Sequence, residues 1–429
     1  MKKSLFAIAA VTAFAGAAQA QSSVTVYGIL DVGYIGESAR ISNSAGTAAN
    51  GYNNGQLKST RNQFGSSAEQ SSRLGFKGVE DLGGGTSAFF TIELALAPND
   101  QSLNGNKQIG AASNGVNPES GGLTNRQTFV GLKKNGLGQT AVGTQYTTVF
   151  NSAVATDVGN LNNVAGNVIY SSVAGGNAPD QGNTPAFTAR TSNTLSVKSD
   201  KFAGFTGSAF ATLNNKNATQ SSATVGGNTN ASGWGIGADY TLNKFYITAA
   251  YQSLKQLTTN GNTTPFTTGA TGNTPAAWSQ AQGNGATSIG GGAYNTTDNQ
   301  FYAGATYDFG ILKAYAQYVS RKATATASSN YYVKRAAEQI GVRSFITPTI
   351  EGWASAGLGR YTAMGAGTPT QNFNGWQLGS NYWLSKRTNL YAIYGQTLTS
   401  TGSTTSAAGV TTTVSGAVSN YALGVRHTF

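Results

Sequence analysis

The last nine residues constrain the fold more than any other stretch of the chain. Between positions 421 and 429, Tyr421, Leu423, Val425, His427 and Phe429 fall on one face of an extended strand, and Ala422, Gly424, Arg426 and Thr428 fall on the other. The face that ends on Phe429 is apolar and aromatic, whereas the opposite face is small and polar. That division is expected where one side of a strand meets lipid and the other meets a wet interior, as in the wall of a transmembrane barrel.

The opposite end carries a different signal. Lys2 and Lys3, an apolar stretch from Leu5 to Ala18, and Ala18-Gln19-Ala20 read as a secretory signal peptide over residues 1–20. Cleavage would leave one domain, 21–429. The stretch is short for a spanning helix, and no later apolar run approaches the roughly 20 residues such a helix needs, which excludes helical membrane architectures. Cysteine is absent, so no disulfide framework or thiolate metal site is available. Charged residues make up 10% of the chain, against about 25% in soluble proteins. Gly (57), Tyr (20) and Phe (19) are abundant. A barrel accounts for both observations, because its lipid face excludes charge and its rims collect aromatics.

Alternating segments recur along the chain at 24–35, 72–79, 87–96, 125–133, 140–148, 191–198, 207–213 and 233–240. They continue at 245–254, 300–307, 312–319, 332–344, 351–361, 374–382, 390–398 and 419–429. Sixteen is an even number, as a closed antiparallel barrel requires. Short turns at 80–85, 134–138, 307–310 and 384–389 alternate with long Asn-, Gly-, Ser- and Thr-rich links near 36–71, 97–123, 149–189, 255–298 and 399–418. Disordered linkers between soluble domains would not follow every second strand. The expected fold is therefore all-β: a 16-strand transmembrane antiparallel barrel with short periplasmic turns and long extracellular loops.

Five motifs carry a resemblance that runs along nearly the whole chain from position 21. They are Ser-Val-Thr-Val-Tyr-Gly from Ser23, Ser-Arg-Leu-Gly-Phe-Lys-Gly-Val-Glu-Asp-Leu-Gly-Gly-Gly from Ser72, Arg-Gln-Thr-Phe-Val-Gly-Leu from Arg126, Leu-Ser-Lys-Arg-Thr-Asn-Leu-Tyr from Leu384, and the Gly-Val-Arg-His-Thr-Phe ending from Gly424. The chain resembles the general porins of Gram-negative outer membranes, especially the beta-proteobacterial type. The resemblance implies a homotrimer of sixteen-stranded barrels in which the third long loop folds into the pore and basic wall residues face acidic loop residues. Biogenesis would then involve the barrel-assembly machinery and periplasmic chaperones.

Arg73 has Leu74 and Phe76 on its opposite face, so alternation turns Arg73 and Lys77 inward; a lipid-facing Arg near the midplane costs roughly 2–4 kcal/mol. Arg126 and Arg190 resemble further wall cations of the family, while Thr144 stands where many relatives carry one. The third loop offers Asp157 and Asp180 as acids. Phe429 with Tyr421, Leu423 and Val425 is expected to supply the assembly signal.

Other chemistries find little support. The single histidine, His427, lies on the apolar face of the last strand, away from any serine it would serve as base. No metal or cofactor site is suggested. The Gly83-Gly-Gly85 run joins two strands and lacks the helix and Lys-Ser/Thr of a phosphate loop. The net charge of +11, or +9 without Lys2 and Lys3, is dispersed, with no basic cluster of a nucleic-acid binder. The expected function is passive diffusion of small hydrophilic solutes and ions, mildly anion-preferring. The alternatives are a selective channel for sugars or small organic acids, lined by aromatics such as Tyr146 and Tyr315, and, more remotely, a secreted β-helix adhesin. The adhesin would need short regular repeats that are missing here.

Overall fold

A computed structural model describes residues 23–48, 52–98, 124–170, 186–221, 226–258, 296–325, 332–363, 370–405 and 411–429. The signal-peptide segment 1–20 and Asp180 lie outside the described residues. The strands in the first half are β1 (Ser23–Asn43), β2 (Gln56–Ser66), β3 (Arg73–Gly83), β4 (Thr86–Ala95), β5 (Thr124–Lys134), β6 (Gly138–Tyr146), β7 (Arg190–Ser199) and β8 (Phe205–Ala218). They continue as β9 (Gly227–Leu242), β10 (Phe245–Thr258), β11 (Thr296–Asp308), β12 (Lys313–Ala325), β13 (Tyr332–Phe345), β14 (Ile350–Ala363), β15 (Thr370–Trp383), β16 (Thr388–Thr405) and β17 (Thr411–Thr428). Among the described residues one helix, α1 (Thr148–Thr156), follows β6.

Neighbouring strands pair antiparallel around a closed circuit. The upper half of β1 pairs with β2 (Val32 opposite Ser66) and its lower half with β3 (Ile29 opposite Arg73). β2 and β3 therefore fill one position, and the wall has sixteen. The stretch 36–71, read from sequence as a loop, in fact holds the upper end of β1 and all of β2. Its polar composition hid the strand, because near the extracellular rim both faces of β2 are wet. The six residues 67–72 between β2 and β3 leave the wall, and Ser67 takes a left-handed φ of 67° at the break.

The circuit closes where β1 meets β17, with Asp31 opposite Arg426 and Ile35 opposite Ala422. Gly28 and Phe429 exchange both backbone hydrogen bonds at 3.1 Å, so pairing runs to the last residue. An added Cβ at Gly28 would lie 2.3 Å from the Phe429 ring, which seals the seam only because position 28 has no side chain. An open edge in lipid would leave backbone groups unpaired at several kcal/mol each.

Alternation sorts the residues as expected. Tyr421, Leu423, Val130, Leu358 and Ile340 are exposed on the outward face, while Asp31, Gln300, Gln377 and Arg426 are buried on the inward one. Short connections lie at one end with the two termini of the barrel, and the long ones at the other. The helix α1 replaces the end of the strand expected to reach position 148. Thr147 caps it by accepting the Phe150 N–H at 3.2 Å, and Val149, Phe150 and Ala153 are buried inside the barrel.

Candidate functional site: two walls of a pore

The described parts of the loop, 147–170 and 186–189, lie in the lumen and divide the inner surface into two unlike walls. The first, on β3 to β7, carries the cations. Arg73 and Lys77 share the inward face of β3 with Gly75, as alternation requires. Arg126 reaches the same face by another route. Its neighbours Val130 and Leu132 point outward, so strict alternation would send Arg126 outward too. A bulge intervenes: Glu93 pairs with Gln127 but Leu94 pairs with Asn125. The extra residue, Arg126, is thereby re-aimed into the lumen.

Glu93 of β4 sits at the centre of this wall. Arg126 Nε donates to Glu93 Oε1 at 2.8 Å and its Nη2 to the Tyr146 hydroxyl at 3.0 Å. The Tyr27 hydroxyl donates to Glu93 Oε2 at 3.2 Å. Arg73 also lies within electrostatic reach of Glu93, and its Nε donates to the Ser71 carbonyl at 2.9 Å. The Arg190 guanidinium stands 5.2 Å from the Tyr146 ring centroid and Lys77 Nζ stands 5.4 Å from that of Tyr27. The sequence-expected cations Arg73, Lys77, Arg126 and Arg190 thus gather on one wall around a single carboxylate that sequence reasoning did not single out. Arg126 is buried in its ion pair, whereas Lys77 is exposed and Arg73 and Arg190 are half-buried.

The second wall, β10 to β16, bears the loop. Its inward residues are largely neutral amides. Gln300 accepts the Thr188 N–H at 2.6 Å and donates to the Thr188 hydroxyl at 3.0 Å, and Gln252 donates to the Thr188 carbonyl at 3.1 Å. Gln339 accepts the Val168 N–H at 3.0 Å. Gln377 donates to the Val164 carbonyl at 2.8 Å and exchanges hydrogen bonds with Asn162 at 3.0 Å. A glutamine can donate and accept at once, so each satisfies loop backbone without placing a charge beside it. Arg335 is the cation here: fully buried, it donates to the Val168 carbonyl and lies against the Phe373 ring. Arg321 and Arg343 are paired with Asp298 (2.6 Å) and Glu351 (3.3 Å). Close approach of the loop needs glycine: an added Cβ at Gly395 would lie 1.9 Å from the Ala165 carbonyl oxygen.

Asp157, expected opposite the arginines, is instead at the C-terminal end of α1. Its Oδ1 accepts the Leu161 N–H at 2.8 Å and its Oδ2 accepts the Asn167 amide at 2.7 Å. Burial pushes its carboxyl above the usual range, against the pull of those two hydrogen bonds, and the guanidinium that opposes the shift is Arg343 of the second wall. Asp157 therefore shapes the loop. Thr144 pairs with Thr128 on the outward side, so a cation at this position would not face the lumen.

The excursion 67–72 joins the walls. Asp31 Oδ2 accepts the Glu69 and Gln70 N–H groups at 2.9 and 2.6 Å, and its Oδ1 accepts the Tyr391 hydroxyl at 2.6 Å. Glu69 meets Arg426 at 3.5 Å. Asn163 of the loop in turn donates to the Ala68 and Ser67 carbonyls at 2.9 and 2.7 Å. Among the described residues no group of His, Asp and Glu could hold a metal ion, and no helix is long and apolar enough to cross a membrane.

A closed sixteen-position barrel with a lipid-type exterior, a polar lumen and an inserted loop defines an integral pore-type protein of the outer membrane. The sequence pattern of the family described as Gram-negative porin matches residues 7–402, and the chain belongs to that family. An outer membrane porin of Bordetella pertussis is 35% identical over 147 residues, covering 34% of each chain. Outer membrane porin protein 32 of Delftia acidovorans is 42% identical over 107 residues, covering 24% of this chain and 25% of that one. These matches span about a third and a quarter of those relatives. In structure, an anion-selective porin from Comamonas acidovorans gives a TM-score of 0.61 at 20% identity, covering 95% of this chain and 100% of that one. OmpT of Vibrio cholerae gives 0.54 at 13%, covering 95% and 98%. At these identities the likeness is one of fold.

Proposed function

We propose that this chain forms a passive pore for small hydrophilic solutes and ions, with a mild preference for anions and no catalytic activity. The observation that carries the reading is the first wall, where Arg126 pairs with Glu93, Arg73 lies within its electrostatic reach, and Lys77 and Arg190 stand over the Tyr27 and Tyr146 rings whose hydroxyls donate to Glu93. Charges at a constriction act on ions within a few ångströms and escape the screening that removes charges beyond roughly 8 Å at physiological salt. Rings of Arg or Lys favour anions. The anion selectivity of the similarly folded Comamonas porin supports the sign. In a planar bilayer with a salt gradient, the reversal potential should have the anion-selective sign and conductance should rise linearly with salt. A clearly cation-selective sign would overturn the charge assignment.

A second reading, a channel selective for sugars or small organic acids, is favoured by one feature. Tyr146 stacks on Phe150 at 4.3 Å beside Arg126 and Arg190, with Phe187 6.3 Å from Phe150. Conductance that saturates with one solute would select it.

The assembled form is a homotrimer, in keeping with the trimeric form of Vibrio OmpT, a protein of similar fold. Residues 1–20 are the cleaved signal. Phe429, with Tyr421, Leu423 and Val425, is the mark read by the barrel-assembly machinery, with periplasmic chaperones escorting the chain. Deleting Phe429 should sharply reduce folded protein in the outer membrane; normal surface levels would argue against the assignment.

A further inference from the structure

The carboxylate of Asp31, on the inward face of β1, is fully buried, yet among the described residues it has no ion pair. Its charge is met by the Glu69 and Gln70 N–H groups at 2.9 and 2.6 Å and by the Tyr391 hydroxyl at 2.6 Å. A buried carboxylate without a counter-ion is costly. The second wall meets backbone with neutral glutamines instead. What the carboxylate gains is three charge-assisted hydrogen bonds, each about twice as strong as a neutral one.

What Asp31 holds is the excursion 67–72, and its backbone grips the same segment. The Ser67 N–H donates to the Asp31 carbonyl at 2.9 Å. The Asp31 N–H donates to Ser72 Oγ at 3.0 Å, and that hydroxyl donates back to the Asp31 carbonyl at 3.2 Å. Both ends and the middle of the excursion are thereby fixed to one residue of β1. Two parts of the pore hang from it. Arg73 is the first residue of β3, so the chain before it belongs to the excursion, and its Nε donates to the Ser71 carbonyl at 2.9 Å. From the loop, Asn163 donates its backbone N–H to the Ala68 carbonyl at 2.9 Å and its amide to the Ser67 carbonyl at 2.7 Å.

We propose that Asp31 is a positioning residue for permeation: through the excursion it sets both the place of Arg73 in the ion path and the place of the Asn163 part of the loop. The charge and the width of the pore are then fixed together by one carboxylate. This role rests on the reading of the first wall as the ion path. Freed from the Ser71 carbonyl, Arg73 is drawn toward Glu93, a carboxylate within its electrostatic reach, and pairing there withdraws its charge from passing ions. The sign of the effect separates positioning from a bare loss of charge. Removing an acid from the lumen wall favours anions through space, whereas displacing Arg73 disfavours them.

The test reads reversal potential and single-channel noise of the full folded protein in planar bilayers under a salt gradient. Asp31→Ala should shift the potential toward cation preference although an acid is lost, and should raise the noise. Retreat of a guanidinium from about 4 to about 8 Å from the ion path halves its Coulomb energy in water, roughly a twofold fall in the anion-to-cation permeability ratio. Asp31→Asn loses the same charge but keeps an oxygen for the Glu69 and Gln70 N–H groups, so it should lie at wild type or slightly on its anion side. Ser72→Ala removes two contacts with Asp31 and no charge; a weaker cation shift is expected, and it decides the matter if Asp31→Ala does not fold. Asn163→Ala removes the amide link from the loop and should add noise at an unchanged potential. Equal anion shifts in Asp31→Ala and Asp31→Asn would overturn the role, provided Arg73→Ala moves the potential. So would an unmoved potential in Asp31→Ala or, failing its folding, in Ser72→Ala. Should Arg73→Ala leave the potential unmoved, the reading of the first wall fails instead and the noise decides: an Asp31→Ala or Ser72→Ala channel as quiet as wild type would overturn the hold on the loop.

Discussion

The two inner walls are made of the same element and face the same water, yet they use opposite means to hold polar groups. On β3 to β7 Arg126 is buried against one acid while Lys77 is exposed and Arg73 and Arg190 are half-buried. Arg73 and Arg190 take positions from a carbonyl and a ring as much as from counter-charge. On β10 to β16 the ionic groups are paired or buried, and uncharged glutamines hold the loop. The difference follows from what each wall must do. A wall that meets backbone needs donors and acceptors in equal supply, and an ion there would go without compensation in a dry contact. A wall that meets passing ions needs unbalanced charge close to water. Placing both on one barrel lets the loop be anchored on one side without neutralising the field on the other.

The largest effect is expected where the loop meets its bed. In Gly395→Val, new side-chain atoms would meet the Ala165 carbonyl at far less than contact distance. Overpacking costs typically 1–3 kcal/mol, comparable to losing one or two of the hydrogen bonds, each worth about 1 kcal/mol net, that Asn420, Thr397 and Gln377 make with residues 164–166. The loop should lift off, with higher and noisier single-channel conductance but an unchanged sign of selectivity. An unaltered conductance in a folded barrel would show that the second wall does not set the pore's width.

Next in size is the exchange of charge between walls. Arg73→Ala/Arg126→Ala should move the reversal potential toward cation preference. A charge within about 4 Å of an ion in water contributes roughly 1 kcal/mol, so about a fivefold change in permeability ratio is expected. Replacing the buried pair in Arg321→Met/Asp298→Asn alters as many charged side chains on the other wall but should leave the ratio unchanged. Similar shifts in both variants would erase the distinction drawn between the walls.

The first wall was legible in the sequence to the extent that strand alternation governs it. Arg73 and Lys77 follow from the parity of Leu74 and Phe76. Arg126 faces inward through a bulge that period-two reasoning does not show, and the resemblance pointed to it where geometry would not have. Glu93 had inward parity but no motif to mark it. The second wall was scarcely legible. Its glutamines matter through contacts with a loop more than a hundred residues away in several cases, and no local pattern encodes such a meeting. The helix had a faint local signal, Thr147 as cap with apolar Val149, Phe150 and Ala153, that was absorbed into the preceding strand. Asp157 was misplaced because its acidity suggested the pore, whereas the first turn after a helix uses a carboxylate equally well to accept backbone N–H groups.

A smaller effect should separate anchoring from charge. Gln339→Ala/Gln377→Ala removes donors and acceptors from the second wall and leaves the Val168 N–H and the Val164 carbonyl without those partners. At about 1–3 kcal/mol for each group left unsatisfied, the barrel should survive while loop motion increases, seen as added current noise at an unchanged reversal potential. A shift in reversal potential would mean that the neutral wall contributes to selectivity after all.

The smallest change probes the join between ring and charge on the first wall. Tyr146 makes three contacts there: its hydroxyl accepts from Arg126 at 3.0 Å, the same hydroxyl donates to Glu93 at 3.4 Å, and its ring lies under Arg190 at 5.2 Å. Tyr146→Phe keeps the ring, and with it the 4.3 Å stack on Phe150. Arg126 retains Glu93 at 2.8 Å as its partner, so the loss should be that of the hydroxyl's two hydrogen bonds, about 1–3 kcal/mol in stability, with the reversal potential nearly unmoved. Tyr146→Leu removes the surface on which Arg190 rests and should change selectivity more than Tyr146→Phe does. If the two substitutions gave equal shifts in reversal potential, the hydroxyl rather than the ring would be what holds Arg190 in the ion path, and the wall would be organised by hydrogen bonding alone.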